Sequence, residues 1–237
     1  MELAEMRWPE ADAVEDPIAL LPVGSTEQHG PHAPLGTDCL TVEAVASGAA
    51  ERTDVILAPT IPVGVAAEHR HFAGTLWVEP TVFRDYVGGT IRSLAYHGWD
   101  RIVVVNGHGG NVDALRELCA KLTRGEDLYA VPFTWFDEID TGQHAMGHAG
   151  PIETAALRSL EPGLIEETQL DGAATHGSER WGEWQGRVNL AYDTREFSEN
   201  GAVGDPRETT VEDGEWYLRK ATNALVELID RVRDRQA

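Results

Sequence analysis

Apolar positions along the chain fall into two alternating patterns. "IALLPV" (18–23), "VILAPT" (55–60), "RIVVVNG" (101–107) and "LYAVPF" (128–133) are short, mostly branched-aliphatic runs ending in Gly or Pro signals. Strands buried on both faces read this way. Elsewhere the period lengthens to that of a helix. Val82, Phe83, Tyr86, Val87, Ile91, Leu94 and Ala95 recur at helical spacing after Thr81, which reads as a cap; Val112, Leu115, Leu118 and Leu122 do so after Asn111. Leu218, Ala221, Leu225, Leu228, Ile229 and Val232 mark a last amphipathic helix. Strand alternating with helix predicts an α/β fold with a parallel sheet covered on both faces and right-handed crossovers. No composition break divides residues 1–237, so one domain is expected. The region 163–209 is too irregular to assign.

In such folds ligands gather beyond the carboxyl ends of the strands. "GSTEQHG" follows the first strand, "PVGVAAEHRHFAGT" the second and "GHGGN" the third, so three polar, glycine-rich loops are expected to face one crevice. The first continues as "GSTEQHGPHAPLGTD" (24–38), which holds Glu27, His29, His32 and Asp38 among glycines and prolines that rule out a regular helix. Glu27 and His29 are two apart, so an extended backbone projects both to one side, and the Gly/Pro turn can return Asp38 to meet them. His108 directly follows a buried strand. Two carboxylates, one able to bridge, and two imidazoles make a mixed N/O ligand set suited to Zn, Mn or Fe. Two such ions about 3.5–4 Å apart can share one water and polarise a carbonyl, which is hydrolytic chemistry.

Around this set, Glu68, His69 and His71 of "EHRHF" read as lining of the substrate site. Gly109 and Gly110 read as positions where substrate approaches the backbone. His32 reads as a turn residue or a partner behind the ligands. "GHGGN" also fits an anion cradle at a helix start, but it lacks the GxGxxG spacing and the P-loop lysine of nucleotide sites. "WGEW" (181–184) is either an aromatic substrate wall or a subunit contact, and His97 and His176 have no local support for function.

Charge changes the picture of partners. The chain has 40 acidic and 19 basic residues, a net charge of −21, and all but Lys121 and Lys220 of the basic residues are Arg. Nucleic acid and anionic membranes would be repelled. The acids are scattered, as on proteins adapted to molar salt, where the Debye length is about 3 Å. An acidic start without an apolar run, and no stretch of roughly 18 apolar residues, lead to the expectation of a cytoplasmic protein. Cys39 and Cys119, far apart and outside any CxxC spacing, read as small buried apolar residues.

These segments resemble the creatininase family of metal-dependent amidohydrolases. "LPVGSTEQHGPHAPLGTD" is similar to its first signature, "VVNGHGGN" to its second and "HAGPIETA" (148–155) to its HxGxxET element. "HFAGT" (71–75), with Ala73 in place of a usual Pro, and "GAVGDPRETTVEDG" (201–214) resemble two further family stretches. The resemblance implies a three-layer α/β/α sandwich with a mostly parallel central sheet, assembled as a homo-oligomer, commonly a hexamer. It makes Glu27, His29, Asp38 and His108 ligands of one or two divalent metal ions, with Asp38 bridging. It places Glu153 as a further ligand or near neighbour, and His148 as the shuttle of a proton to the departing nitrogen. Creatininase itself has a carboxylate at the position of Gly110, for which Glu153 or Glu68 is the substitute here. Trp135 in "FTWFDE" resembles a substrate-site tryptophan; a second tryptophan has no counterpart, and His144 lies near its place. Within the family, the "GHGGN" form points to the deformylase of 2-amino-5-formylamino-6-ribosylaminopyrimidin-4(3H)-one 5'-monophosphate, used in flavin and deazaflavin synthesis. Arg70, Arg180 or Arg187 would then meet its phosphate. The alternatives are a hydrolase of another small amide, a peptidase of a redox-cofactor precursor peptide, and, outside enzymes, a non-catalytic metal or small-molecule binding protein.

Overall fold

A computed structural model describes residues 1–15, 17–139 and 146–235. Strands β1 (Ile18–Val23), β2 (Val55–Leu57), β3 (Arg101–Asn106) and β4 (Tyr129–Thr134) form a parallel sheet in the order β2-β1-β3-β4. The helices are α1 (Trp8–Asp12), α2 (Thr37–Ala50), α3 (Pro80–Tyr96), α4 (Val112–Gly125), α5 (Pro151–Leu160), α6 (Leu170–His176) and α7 (Val211–Arg233).

Side chains alternate across the strands, which divides the core in two. Ile18 and Leu20 of β1, with Val103 and Val105 of β3, pack under α2, α5 and α7. Ala19, Leu21 and Val23, with Ile102 and Val104, pack under α3 and α4. Both faces are therefore apolar, which is why these strands appear in the sequence as unbroken runs. The result is the three-layer α/β/α arrangement. Helix α7 buries Tyr217, Ala221, Leu225, Ile229 and Val232 at three-to-four-residue spacing. Burial of each aliphatic side chain of this size contributes about 1.5–3 kcal/mol.

Several elements differ from the sequence pattern. Strand β2 stops at Leu57, two residues before Pro59. Helix α3 begins at Pro80 with Glu79 as its N-cap, because proline's fixed φ starts the helix one residue before Thr81. Asn111 stands at the cap position of α4 yet caps nothing: its amide donates to Gly24 O and Asn106 Oδ1 and accepts from the Val65 N–H. Helix α2 leaves almost no amphipathic signal, since its buried stripe of Thr37, Asp38, Thr41, Val42, Val45, Ala46 and Ala49 includes three polar residues and its other side carries Leu40, Ala44 and Ala50. The region 163–209 consists of short 3-10 turns, α6 and a small antiparallel hairpin of β5 (Trp184–Gln185) and β6 (Val188–Asn189). No helix among the described residues is long and apolar enough to cross a membrane.

The sheet fixes where the loops meet. Val23, Asn106 and Thr134 lie in register at the carboxyl edge. From β1 the chain runs outward to β2, then returns to place β3 on the other side of β1. The loops after β1 and β3 therefore diverge over one crevice.

Candidate metal centre

Four segments bring acidic and imidazole side chains into that crevice. The loop after β1 supplies Glu27 and His29, the first turn of α2 supplies Asp38, the residue pair after β3 ends on His108, and the first turn of α5 supplies Glu153. All five are buried, Glu27 and His29 completely. Asn106 clamps the β3 loop: its amide donates to His108 O at 2.8 Å and accepts from the His108 N–H at 3.2 Å. Ala149, at φ 50°, turns the backbone so that its N–H donates to Glu153 Oε2 at 2.6 Å.

Asp38 faces two ways. Its Oδ1 lies 3.2 Å from His29 Nε2 and its Oδ2 lies 3.3 Å from His108 Nδ1. His108 Nδ1 is also 3.1 Å from Glu27 Oε1, and His29 Nε2 is 3.6 Å from Glu153 Oε1. Two overlapping groups result, Glu27–Asp38–His108 and His29–Asp38–Glu153, with Asp38 common to both; Glu27, His29 and His148 form a third.

The hydrogen bonds test whether cations fit. His29 Nδ1 faces Glu27 O at 3.2 Å, His108 Nε2 faces Val65 O at 2.7 Å, and His148 Nε2 faces Gln28 O at 2.6 Å. A carbonyl only accepts, so each of these nitrogens carries the proton and the other ring nitrogen presents a lone pair. Those lone pairs point at carboxylates. Glu27 Oε1 and Oε2, Asp38 Oδ2 and His29 Nε2 are buried without a hydrogen-bond partner. Lone pairs facing anions in a dry site repel unless a cation lies between them. The donor set fits divalent ions bound through N and O, and the backbone carbonyls behind the imidazoles fix their tautomers as in metal sites generally.

Protonation follows the same charges. Burial alone would depress His29, but Asp38 and Glu153 carry its pKa well above the ordinary value; for His108, Glu27 and Asp38 overcome burial in the same way. Burial pushes Asp38 up, yet His29 and His108 hold it well below the usual carboxylate range. His148 is lowered, by burial and then by the charge of His29. Without metal, protons take the place of the missing cations.

Beside the cluster lies a cavity of about 310 Å³, lined by Glu68, His69, His108, Gly109, Gly110, Phe136, Met146, Gly147, His148, Glu153 and Trp181. Trp135 does not line it. Its side chain is fully buried in the core beneath α7, and the 3-10 turn Trp135–Glu138 presents Phe136 to the cavity instead. His71 also lies elsewhere, half-exposed with Nε2 3.4 Å from Asp193 Oδ2. His144 falls outside the described residues. Gly110 is closed to any side chain: a Cβ would overlap Val65 O and lie 2.5 Å from His108 Nε2 and 2.9 Å from Glu68 Oε1. The loop after β2 thus occupies the space a carboxylate at 110 would need. Glu68 belongs to none of the three ligand groups, so among the described residues the carboxylate beside His29 is Glu153.

His32 is buried, with Nε2 3.0 Å from Thr154 Oγ1, and burial next to His29 lowers its pKa to about 4. Trp181 packs edge-on to His69 at 5.7 Å and to His148 at 6.2 Å, which makes it a wall of the cavity. The sequence missed Gln28, Phe136, Met146 and Gly147. Gln28 alone carried a signal, as it sits between two candidate ligands.

The family model for creatininase, creatinine amidohydrolase, matches residues 4–229. This chain belongs to the creatininase family. It is 35% identical over 223 residues to the mycofactocin precursor peptide peptidase of Mycolicibacterium smegmatis, covering 91% of this chain and 85% of that one. It is 30% identical over 202 residues to the creatinine amidohydrolase of Pseudomonas putida, covering 73% and 76%. The manganese form of creatininase superposes with a TM-score of 0.82 at 23% identity over 99% of both chains. A creatininase mutant of Zn-Zn type gives 0.79 at 25% identity over 99% of this chain and 98% of that one.

Proposed function

We propose that this creatininase-family protein is a metal-dependent amidohydrolase that cleaves a C–N bond of a peptide-derived or other small, non-phosphorylated amide. The observation that carries the reaction class is Asp38, whose two oxygens serve two different imidazoles within one buried, hydrogen-bond-deficient cluster. Glu27, Asp38 and His108 would hold one divalent ion and His29, Asp38 and Glu153 a second. When bound, such ions lower the pKa of water and polarise a carbonyl oxygen.

The chain's own residues supply the rest. His148 keeps its proton on Nε2, against Gln28 O, and presents the Nδ1 lone pair toward the cluster, 3.8 Å from Glu27 Oε1. Burial, and then the charge of His29, hold the His148 pKa below the ordinary histidine value, and the lone pair on Nδ1 can accept a proton from water and pass it to the departing nitrogen. Phe136, Met146 and Trp181 give the cavity beside His148 apolar walls against which a substrate can lie. Gly109 leaves the backbone open beside His108.

Two observations support a peptide-derived or cyclic amide over the formamidopyrimidine nucleotide. Relatives 34–35% identical are named for a precursor-peptide peptidase. Among the described residues no Lys or Arg lines the cavity, and Arg70 is paired with Asp193 at 2.7 Å. Protein reconstituted with Zn, Mn or Fe is assayed against short peptides, creatinine and the formamidopyrimidine nucleotide. Metal-dependent turnover of a peptide or cyclic amide supports the reading. Turnover of the nucleotide alone refutes the substrate class, and tight metal uptake with no turnover on the panel refutes the enzyme.

A further inference from the structure

His69 lines the cavity and its ring lies flat against His148, centroids 4.2 Å apart, so it has the position of another ligand or a substrate contact. Its hydrogen bonds indicate otherwise. Gly30 N–H donates to Gln28 Oε1 at 2.9 Å, which fixes the direction of that amide. Gln28 Nε2 then donates to Gly201 O at 3.1 Å and lies 2.8 Å from His69 Nδ1. An amide nitrogen only donates, so His69 Nδ1 accepts and the ring's proton sits on Nε2. That Nε2–H lies 3.4 Å from Glu27 Oε1. Thr194 Oγ1 lies 3.0 Å from Nδ1. His29, His108 and His148 have the opposite arrangement, with an outer N–H on a carbonyl and an inward lone pair.

We infer that His69 is a positioning residue: Gln28 turns its Nε2–H toward Glu27, and this charge–dipole contact, longer than a hydrogen bond, orients the carboxylate toward the cation while His69 stays out of the metal's coordination shell. The inference rests on the metal reading above and adds a role for the "GAVGDP" stretch, which the chemistry otherwise leaves unused. Gly201, at φ +88°, has no room for a side chain because a Cβ would overlap the Gln28 amide. The late stretch therefore holds Gln28, Gln28 holds His69, and His69 holds Glu27. Val203, two residues on, exchanges backbone hydrogen bonds with His148 at 3.0 and 2.7 Å, which ties the same segment to the proton carrier.

The test uses full-length protein with 15N-labelled histidine, metal-free and zinc-loaded, together with zinc affinity from chelator competition. His69 is expected to show an acceptor-type Nδ1 and a protonated Nε2 in both states, and Gln28→Leu to disturb that pattern. His69→Leu is expected to lose about 10–100-fold in zinc affinity, and His69→Gln, whose amide can still donate to Glu27, to recover part of it. A cobalt-substituted His69→Leu protein should keep the parent's ligand-field spectrum, because no ligand has been removed. A protonated Nδ1, unchanged zinc affinity in His69→Leu, or a lost nitrogen ligand in the cobalt spectrum each overturns the inference. Failure of the parent to bind zinc overturns the metal reading instead, while the metal-free tautomer still tests the Gln28–His69 relation.

Discussion

Gly110→Ala tests how tightly the loop after β2 is fitted to the β3 loop. The added Cβ would lie 2.5 Å from His108 Nε2 and overlap Val65 O, the two atoms joined by a 2.7 Å hydrogen bond. Ordinary contact of carbon with such an atom needs about 3.3 Å or more, so each must retreat by roughly 0.8 Å or more and the bond breaks. Breaking a buried bond costs about 1–3 kcal/mol, and local overpacking costs a similar amount. The two costs overlap, so a loss of about 2–4 kcal/mol is expected. At roughly 2–4 °C per kcal/mol for a chain of this size, Tm falls by roughly 4–16 °C. Because the same bond orients His108, zinc affinity should also fall about 10–100-fold. Thermal melts and chelator competition measure both effects. Gly109→Ala is the control, since a Cβ at the neighbouring position meets nothing within 4 Å. A Gly110→Ala protein that matches the Gly109→Ala protein in both measurements would show that the close approach of the two loops is wrongly described.

Asp38→Ala removes the carboxylate shared by both ligand groups, so metal content measured on the purified protein should fall at both positions and turnover should vanish, while circular dichroism keeps the α/β signature. His29 and His108 have raised pKa values in the metal-free protein, so their stabilisation is fully present below the ordinary histidine value near 6.5 and is lost as pH rises through the raised values. Zinc must displace those protons: adding it to metal-free protein near neutral pH in weak buffer should acidify the solution, and zinc affinity should weaken as pH falls. Alkalinisation or no change would contradict the assigned protonation. With 40 acidic against 19 basic residues, self-repulsion is screened by salt, so Tm should climb from dilute buffer to molar KCl; a fall would count against salt adaptation.

The sheet and the ligand-bearing loops were legible in the sequence because burial on both faces produces unbroken apolar runs and because polar, glycine-rich segments follow them. Spacing alone reached Glu27, His29, Asp38 and His108. Glu153 and His148 came only through the resemblance, since nothing near "HAGPIETA" ties it to a loop over 100 residues earlier in the chain. Aromatic positions were the least readable. Trp135 and Phe136 are neighbours, and the local 3-10 turn decides which enters the core and which the cavity. His69 and His71 share one motif, yet one is buried against Glu27 and the other sits half-exposed beside Asp193. Helix α2 escaped detection because its buried stripe includes Thr37, Asp38 and Thr41 while its outer side carries Leu40, Ala44 and Ala50, so hydrophobicity does not follow burial.

His29 and His108 hang from the ends of the two innermost strands and Asp38 from the helix that follows the first, whereas Phe136, Met146 and Trp181 arrive on turns outside the sheet. Cover and cluster thus come from different parts of the chain and meet where Trp181 packs on His69 and His148. Substitutions in the turns that carry Phe136 and Trp181 therefore alter the cavity wall while leaving Glu27, His29, Asp38 and His108 in place.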